Sequence, residues 1–96
     1  MIRIELSDGA LDDLERIVDF LVLHGAADAG ERTAAIVAAL DILQLHPQIG
    51  RPVEHGLREL VIGRDARGYV ALYRFRPELD VVSVLAIRGQ REAGFS

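Results

Sequence analysis

All eleven basic residues of this 96-residue chain are arginines, and lysine is absent. Eight of them, Arg51, Arg58, Arg64, Arg67, Arg74, Arg76, Arg88 and Arg91, lie in the second half. A guanidinium is a planar fork that pairs bidentately with phosphate or carboxylate. Such a set could steady a phosphoryl-transfer transition state or grip an acidic protein surface. The first role also needs a group that moves protons near neutral pH. His24, His46 and His55 are candidates by residue type, but their spacings of 22 and 9 residues fit no helical or zinc-finger ligand pattern. His24 and His46 each stand where a helix should end, so capping by a partial cation is the plain role. His55 belongs to a loop exposed to solvent. Cysteine is absent, which excludes a disulfide scaffold and thiolate metal sites.

Charge is divided along the chain. The net charge is −4, which argues against broad, sequence-independent binding to nucleic acid, where affinity comes from neutralised phosphates. Glu5, Asp8, Asp12, Asp13, Glu15, Asp19, Asp28 and Glu31 all precede residue 40, so the first half is acidic and the second locally basic.

These side chains must be positioned by a single small domain over residues 1–96. Such a chain buries roughly 60–65% of its unfolded surface, and its stability alone is marginal. Half the residues are hydrophobic but 5% are aromatic, so the core is built from Leu, Ile, Val and Ala. The start, Met1-Ile2-Arg3-Ile4-Glu5, lacks signal-peptide features. No apolar run approaches the roughly 20 residues of a membrane span. A soluble, cytoplasmic protein is the expectation.

Ile2, Ile4 and Leu6 alternate with Arg3 and Glu5, the period of a half-buried strand. Ser7 or Asp8 caps a helix whose apolar stripe is Leu11, Leu14, Ile17, Val18 and Leu21, with Asp12, Asp13, Glu15, Arg16 and Asp19 on a solvated face. His24-Gly25 closes it. A second helix from about Asp28 to Leu45 carries Ile36, Val37, Leu40 and Leu43 and ends before Pro47. Three strands follow, at about Leu57–Ile62, Tyr69–Arg76 and Val81–Ile87. The last two form a hairpin through Arg76-Pro77-Glu78-Leu79-Asp80. The expected fold is α+β, in the order β-α-α-β-β-β, with a helical hairpin on a mostly antiparallel four-stranded sheet.

Both sheet faces read as apolar. Tyr69, Ala71, Tyr73 and Phe75 alternate with Val70 and Leu72, while Val81, Leu85 and Ile87 oppose Val82, Val84 and Ala86. A sheet covered on one side alternates more cleanly. The second face therefore calls for cover from the C-terminal tail, from a partner or from a second copy.

The pieces His46-Pro47-Gln48-Ile49-Gly50-Arg51-Pro52-Val53, Gly56-Leu57-Arg58-Glu59-Leu60, Gly68-Tyr69-Val70-Ala71-Leu72-Tyr73-Arg74-Phe75 and Val81 to Arg91, in this order, resemble the RelE/ParE superfamily of type II toxin–antitoxin toxins. The resemblance covers nearly the whole chain and rests on order and spacing, not on a catalytic signature. It implies a plasmid-stabilising toxin with no cofactor and a cognate, ParD-like antitoxin that carries the DNA-binding ribbon-helix-helix or a similar module. Homodimers or heterotetramers with antitoxin are its possible assemblies.

The superfamily has two branches. RelE-like members cut mRNA on the ribosome, using arginines and lysines with a C-terminal Tyr or His, or a Glu, to handle protons. ParE-like members poison DNA gyrase by protein contact. This chain has no lysine, has Val70 where RelE-like sequences carry arginine, and ends in Phe95 and Ser96. Phenylalanine cannot transfer a proton, and serine without a base is a poor substitute. The ParE-like branch fits best. A ribosome-dependent endonuclease and a non-toxic, decayed or immunity-type interaction module are the alternatives.

On this reading Arg88, Gln90 and Arg91 leave the last strand at the edge of the sheet and meet the target. Arg58, Arg74 and Arg76, with Arg88, form a basic stripe for an acidic partner; the plainer role of Arg58-Glu59 and Arg74 is cross-strand ion pairing, worth roughly 0.2–1 kcal/mol. Gly50, with a positive φ, and Arg51, bonded to carbonyls or an acid, organise the loop after the helices.

Overall fold

Residues 1–25, 27–63 and 68–90 are described by the structure, a computed structural model. The alternating start forms β1 (Arg3–Leu6). Ser7 then caps α1 (Asp8–Leu23), its hydroxyl accepting the Ala10 N–H at 3.0 Å. Inward-facing Ala10, Ile17 and Leu21 make up the buried stripe. His24 is the C-cap, with Nδ1 2.9 Å from the Phe20 carbonyl oxygen and its ring stacked on Phe20. The second helix, α2 (Ala29–Leu45), buries Ile36, Ala39 and Leu43.

Two residues, Arg51–Pro52, form β2, a strand the sequence pattern did not suggest. Its proline is tolerated because β2 is an edge. Then come β3 (Arg58–Ile62), β4 (Tyr69–Arg76) and β5 (Val81–Gly89). A short 3-10 turn over Pro77–Leu79 links β4 to β5, and Asp80 leaves it at φ 53°. The sheet thus has five strands where four were expected, in the order β1-β5-β4-β3-β2. All neighbours are antiparallel except β1 and β5, which run parallel, with Arg3 opposite Val81 and Leu6 opposite Val84.

One irregularity changes which side chains share a face. Leu72 pairs with Ala86, but the next residue, Tyr73, pairs with Val84, leaving Leu85 without a partner. The extra residue is a β-bulge, and it resets the alternation along β5. Val82, Val84 and Ile87 therefore enter the core together with Ala71 and Tyr73. The expected division, with Ile87 opposite Val82 and Val84, is corrected by that one residue.

The helices cover this face. On the other, Val70 and Val81 are buried outside the main core, Leu72 and Ala86 are half-buried and Val61 is exposed. Among the described residues no helix is long and apolar enough to cross a membrane.

Candidate functional site

The basic second half of the chain is organised around two points, the end of β5 and the loop that joins α2 to β2. The first depends on how α1 leaves the sheet. Where β1 stops, the Ser7 N–H donates to the Val84 carbonyl at 2.9 Å and the Ser7 hydroxyl donates to the Leu85 carbonyl at 3.2 Å. Helix α1 is thereby stitched to the flank of β5 at its first turn. Beyond this point β5 has no strand on that side among the described residues, and a bare N–H there would be costly. Asp13 supplies the missing acceptor. Its Oδ2 takes the Ile87 N–H at 3.0 Å, and its Oδ1 takes Arg88 Nη1 at 2.6 Å and Arg16 Nη2 at 3.1 Å.

The side chain of Asp13 is 13% exposed and that of Arg88 is 39% exposed, so the pair is partly shielded at its acidic end and open at its basic end. Asp13 is thus not on the solvated face of α1, where the helical pattern of polar residues places it. The sequence did hold a signal: Asp13 lies three residues after Ala10 and four before Ile17, on the same inward stripe.

Strand β5 lies between β1 and β4, so the expectation of a last strand at the sheet edge is corrected. Its far end is held as well. Gly89 pairs with Tyr69, and the Gln90 N–H donates to the Gly68 carbonyl at 2.9 Å. Arg88 and Gln90 therefore stand at the anchored end of β5. Arg91, like Arg64, Arg67, Phe95 and Ser96, lies outside the described residues.

At the second point, Arg58 Nη1 donates to the carbonyls of Gln48 at 3.1 Å and Gly50 at 2.8 Å. The Gly50 N–H donates to the Tyr73 hydroxyl at 2.8 Å. The positive φ expected at Gly50 is not found: among the described residues the positive-φ glycines are Gly25, Gly56 and Gly63. Gly50 is needed for close approach instead. A Cβ there would sit 2.6 Å from the Tyr73 hydroxyl and 2.8 Å from the Glu59 carbonyl oxygen.

Arg51 meets an acid, Glu59, its register partner across β2 and β3. Of the two partners expected for Arg51, carbonyls or an acid, it takes the acid, and Arg58 takes the carbonyls. Burial pushes the Tyr73 hydroxyl above its ordinary value of 10.0, while the Gly50 N–H and the charge of Arg58 pull the other way.

The three arginines of the proposed stripe do not share a face. Arg58 pairs with core-facing Tyr73, whereas Arg74 and Arg76 pair with Ser83 and Val81. Arg74 Nη2 donates to the His55 carbonyl at 3.2 Å, holding a turn in which His55 and Gly56 have φ of 64° and 73°. Arg76 is exposed, and its side chain has no ion pair or hydrogen bond among the described residues. Among the described residues neither Arg58 nor Arg74 is ion-paired, and Arg51–Glu59 is a cross-strand pair instead. Among the described residues no group of three or more His, Asp or Glu could hold a metal.

Comparison with known proteins matches this arrangement over most of its length. The curated Toxin RelE3 of Caulobacter vibrioides is 29% identical over 83 residues, covering 86% of this chain and 90% of its own length. A solved structure of the chromosomal ParDE system from P. aeruginosa superposes with a TM-score of 0.73 at 28% identity, over 93% of this chain and 96% of that one. The intact E. coli RelBE toxin–antitoxin complex gives a TM-score of 0.67 at 13% identity over 93% and 96% of the two chains, a likeness of fold. The family profile described as ParE toxin of the type II toxin–antitoxin system, parDE, matches residues 4–94. A match of that extent settles membership: the chain belongs to the ParE toxin family of type II toxin–antitoxin systems.

Proposed function

We propose that the free protein binds DNA gyrase and stalls it, with no cofactor and no covalent step, and that a cognate antitoxin encoded beside it neutralises this activity in the cytoplasm. The observation that carries this reading is the state of the groups that could move protons. The chain has two tyrosines and no lysine. Both tyrosines are buried, and the Tyr73 hydroxyl already accepts the Gly50 N–H. The carboxylate beside Arg88 has one oxygen on Ile87 and the other on Arg88 and Arg16. Among the described residues, the one carboxylate bonded to Arg88 is thus already fully engaged, which suits gripping an acidic surface better than cleaving a phosphodiester.

Arg88 and Gln90, with Arg91 beyond them, supply the target contact, and Arg74 and Arg76 extend it across the sheet's outer face. The test is induced expression of wild type and of a chain truncated after Gln90, with growth, supercoiling by purified gyrase and primer extension on translated mRNA as readouts. Truncation after Gln90 keeps the Asp13–Arg88 pair and the Gln90–Gly68 bond, so the core stays closed. Wild type should arrest growth and inhibit supercoiling, and the truncation should do neither. Codon-positioned mRNA cuts that vanish with Arg88→Ala would favour the ribosome-dependent endonuclease instead. A folded but harmless wild type would favour the non-toxic interaction module.

A further inference from the structure

Arg88 is held from one side only. Asp13 Oδ1 takes its Nη1 at 2.6 Å, and its Nε and Nη2 donate to no group among the described residues. Neither atom is buried, so both donors reach solvent. A guanidinium pairs best with a carboxylate through two parallel N–H groups. Nε and Nη2 form such an edge, and the end-on bond from Nη1 to Asp13 leaves it whole.

The backbone that carries Arg88 is fixed on both sides of it. The Ile87 N–H donates to Asp13 Oδ2, the Gln90 N–H donates to the Gly68 carbonyl, and Arg88 itself pairs with Val70 across β4. Asp13 is fixed in turn by N–H groups of Ile87, Arg88 and Arg16, and its side chain is nearly buried. It cannot follow a ligand outward, so an incoming anion meets the open edge of Arg88 and leaves Asp13 in place. A long side chain already held in one rotamer loses less freedom on binding. The standing carboxylate also selects the ligand. A nucleic-acid strand would bring a row of phosphates past Asp13 and past a chain of net charge −4. A protein loop brings one acid. We infer that the Nε and Nη2 edge of Arg88 docks an Asp or Glu carboxylate of the target protein, with Asp13 as the positioning residue that holds this edge outward. The inference rests on the reading of the chain as a toxin that acts by protein contact.

The experiment compares full-length variants by inhibition of purified gyrase and by growth arrest on induction, a readout that presupposes no particular target. In Asp13→Asn the amide oxygen still accepts the Ile87 N–H, but the amide NH2 cannot accept from Arg88. Exchange at the Ile87 amide should stay slow, while inhibition weakens about three- to tenfold. In an Arg88→Ala background the same change should matter by less than about twofold, because Asp13 acts through Arg88. Arg88→Lys, at a half-exposed site that does not disturb the fold, keeps the charge but has no parallel pair of donors. It should lose as much as Arg88→Ala, about tenfold or more. Asp19→Asn makes the same charge change at an exposed position of α1 and should leave inhibition unchanged. In nitrogen NMR spectra of the free protein, hindered rotation should resolve the Arg88 Nη signals in wild type, and they should average in Asp13→Asn. Averaged signals in wild type, an Asp13→Asn at least as potent as wild type, or a loss that persists in Arg88→Ala would each overturn the inference. So would full activity of Arg88→Lys, or mRNA cuts that Arg88→Lys abolishes, since the edge would then serve a phosphate. A wild type that arrests growth without inhibiting gyrase would sink the gyrase reading, and the same variants scored by growth would still decide this one. A harmless wild type would overturn both.

Discussion

Gly50 and Tyr73 meet at a contact that tolerates neither an added methyl group nor a lost hydroxyl. Gly50→Ala forces a Cβ to within 2.6–2.8 Å of Tyr73 and the Glu59 backbone and should cost about 1–3 kcal/mol, the range for overpacking a tight site. Tyr73→Phe leaves the Gly50 N–H without its partner and should cost about 1–3 kcal/mol; urea titration reads both. The Tyr73 hydroxyl also gives the protein an alkaline limit. Its pKa in the fold is raised above the ordinary 10.0, so above that pH the unfolded chain releases a proton that the folded chain keeps. Stability is then lost as pH rises. Tyr73→Phe should flatten the decline above about pH 10, measured as the denaturation midpoint against pH. The sequence marks Gly50 and Arg51 as loop organisers and gives Arg51 its acid, but it assigns Gly50 the wrong reason. A glycine required by close approach looks the same in sequence as one required by its φ, and the tyrosine that decides the matter stands 23 positions away.

At the scale of elements, α1 and β5 are joined through one carboxylate. Asp13→Ala strands the Ile87 N–H and frees Arg88, and should cost about 1–3 kcal/mol. Arg88→Ala removes only the half-exposed partner and should cost under about 1 kcal/mol. In the double variant the losses should not add. Hydrogen exchange at the Ile87 amide should accelerate in Asp13→Ala and stay slow in Arg88→Ala. Periodicity was enough to place α1, α2 and the three longer strands, because a stripe at 3.6 residues or an alternation at 2 is a local property. The bulge at Leu85 and the strand at Arg51–Pro52 are not local. Each exists because of what the neighbouring strand presents, and Val-Leu-Ala reads as unbroken alternation until the partner is known. Asp13 sits between these cases: its place on the inward stripe was visible, and its acceptors' partners were not.

The molecule as a whole rests on one small core under the helices. Ile36 and Leu43 are fully buried in it, and replacing either with alanine should cost about 2–5 kcal/mol. Against a total of about 5–15 kcal/mol for a native domain, that lowers the melting temperature steeply, and calorimetry of each variant checks it. The antitoxin should restore much of the loss, since a partner that binds only the folded state adds its binding free energy to stability. The sequence also could not show that the first strand would lie beside the last, because no pattern within either specifies its neighbour. That placement has a consequence in time. Arg3 pairs with Val81, 78 positions later. At about 5–20 residues per second, β1 waits on the order of 4–16 s on the ribosome before its partner has been made. The helical hairpin is synthesised early and meanwhile has no sheet to rest on. The fold is thus barred from assembling piece by piece, and a partner already present in the cell has those seconds in hand.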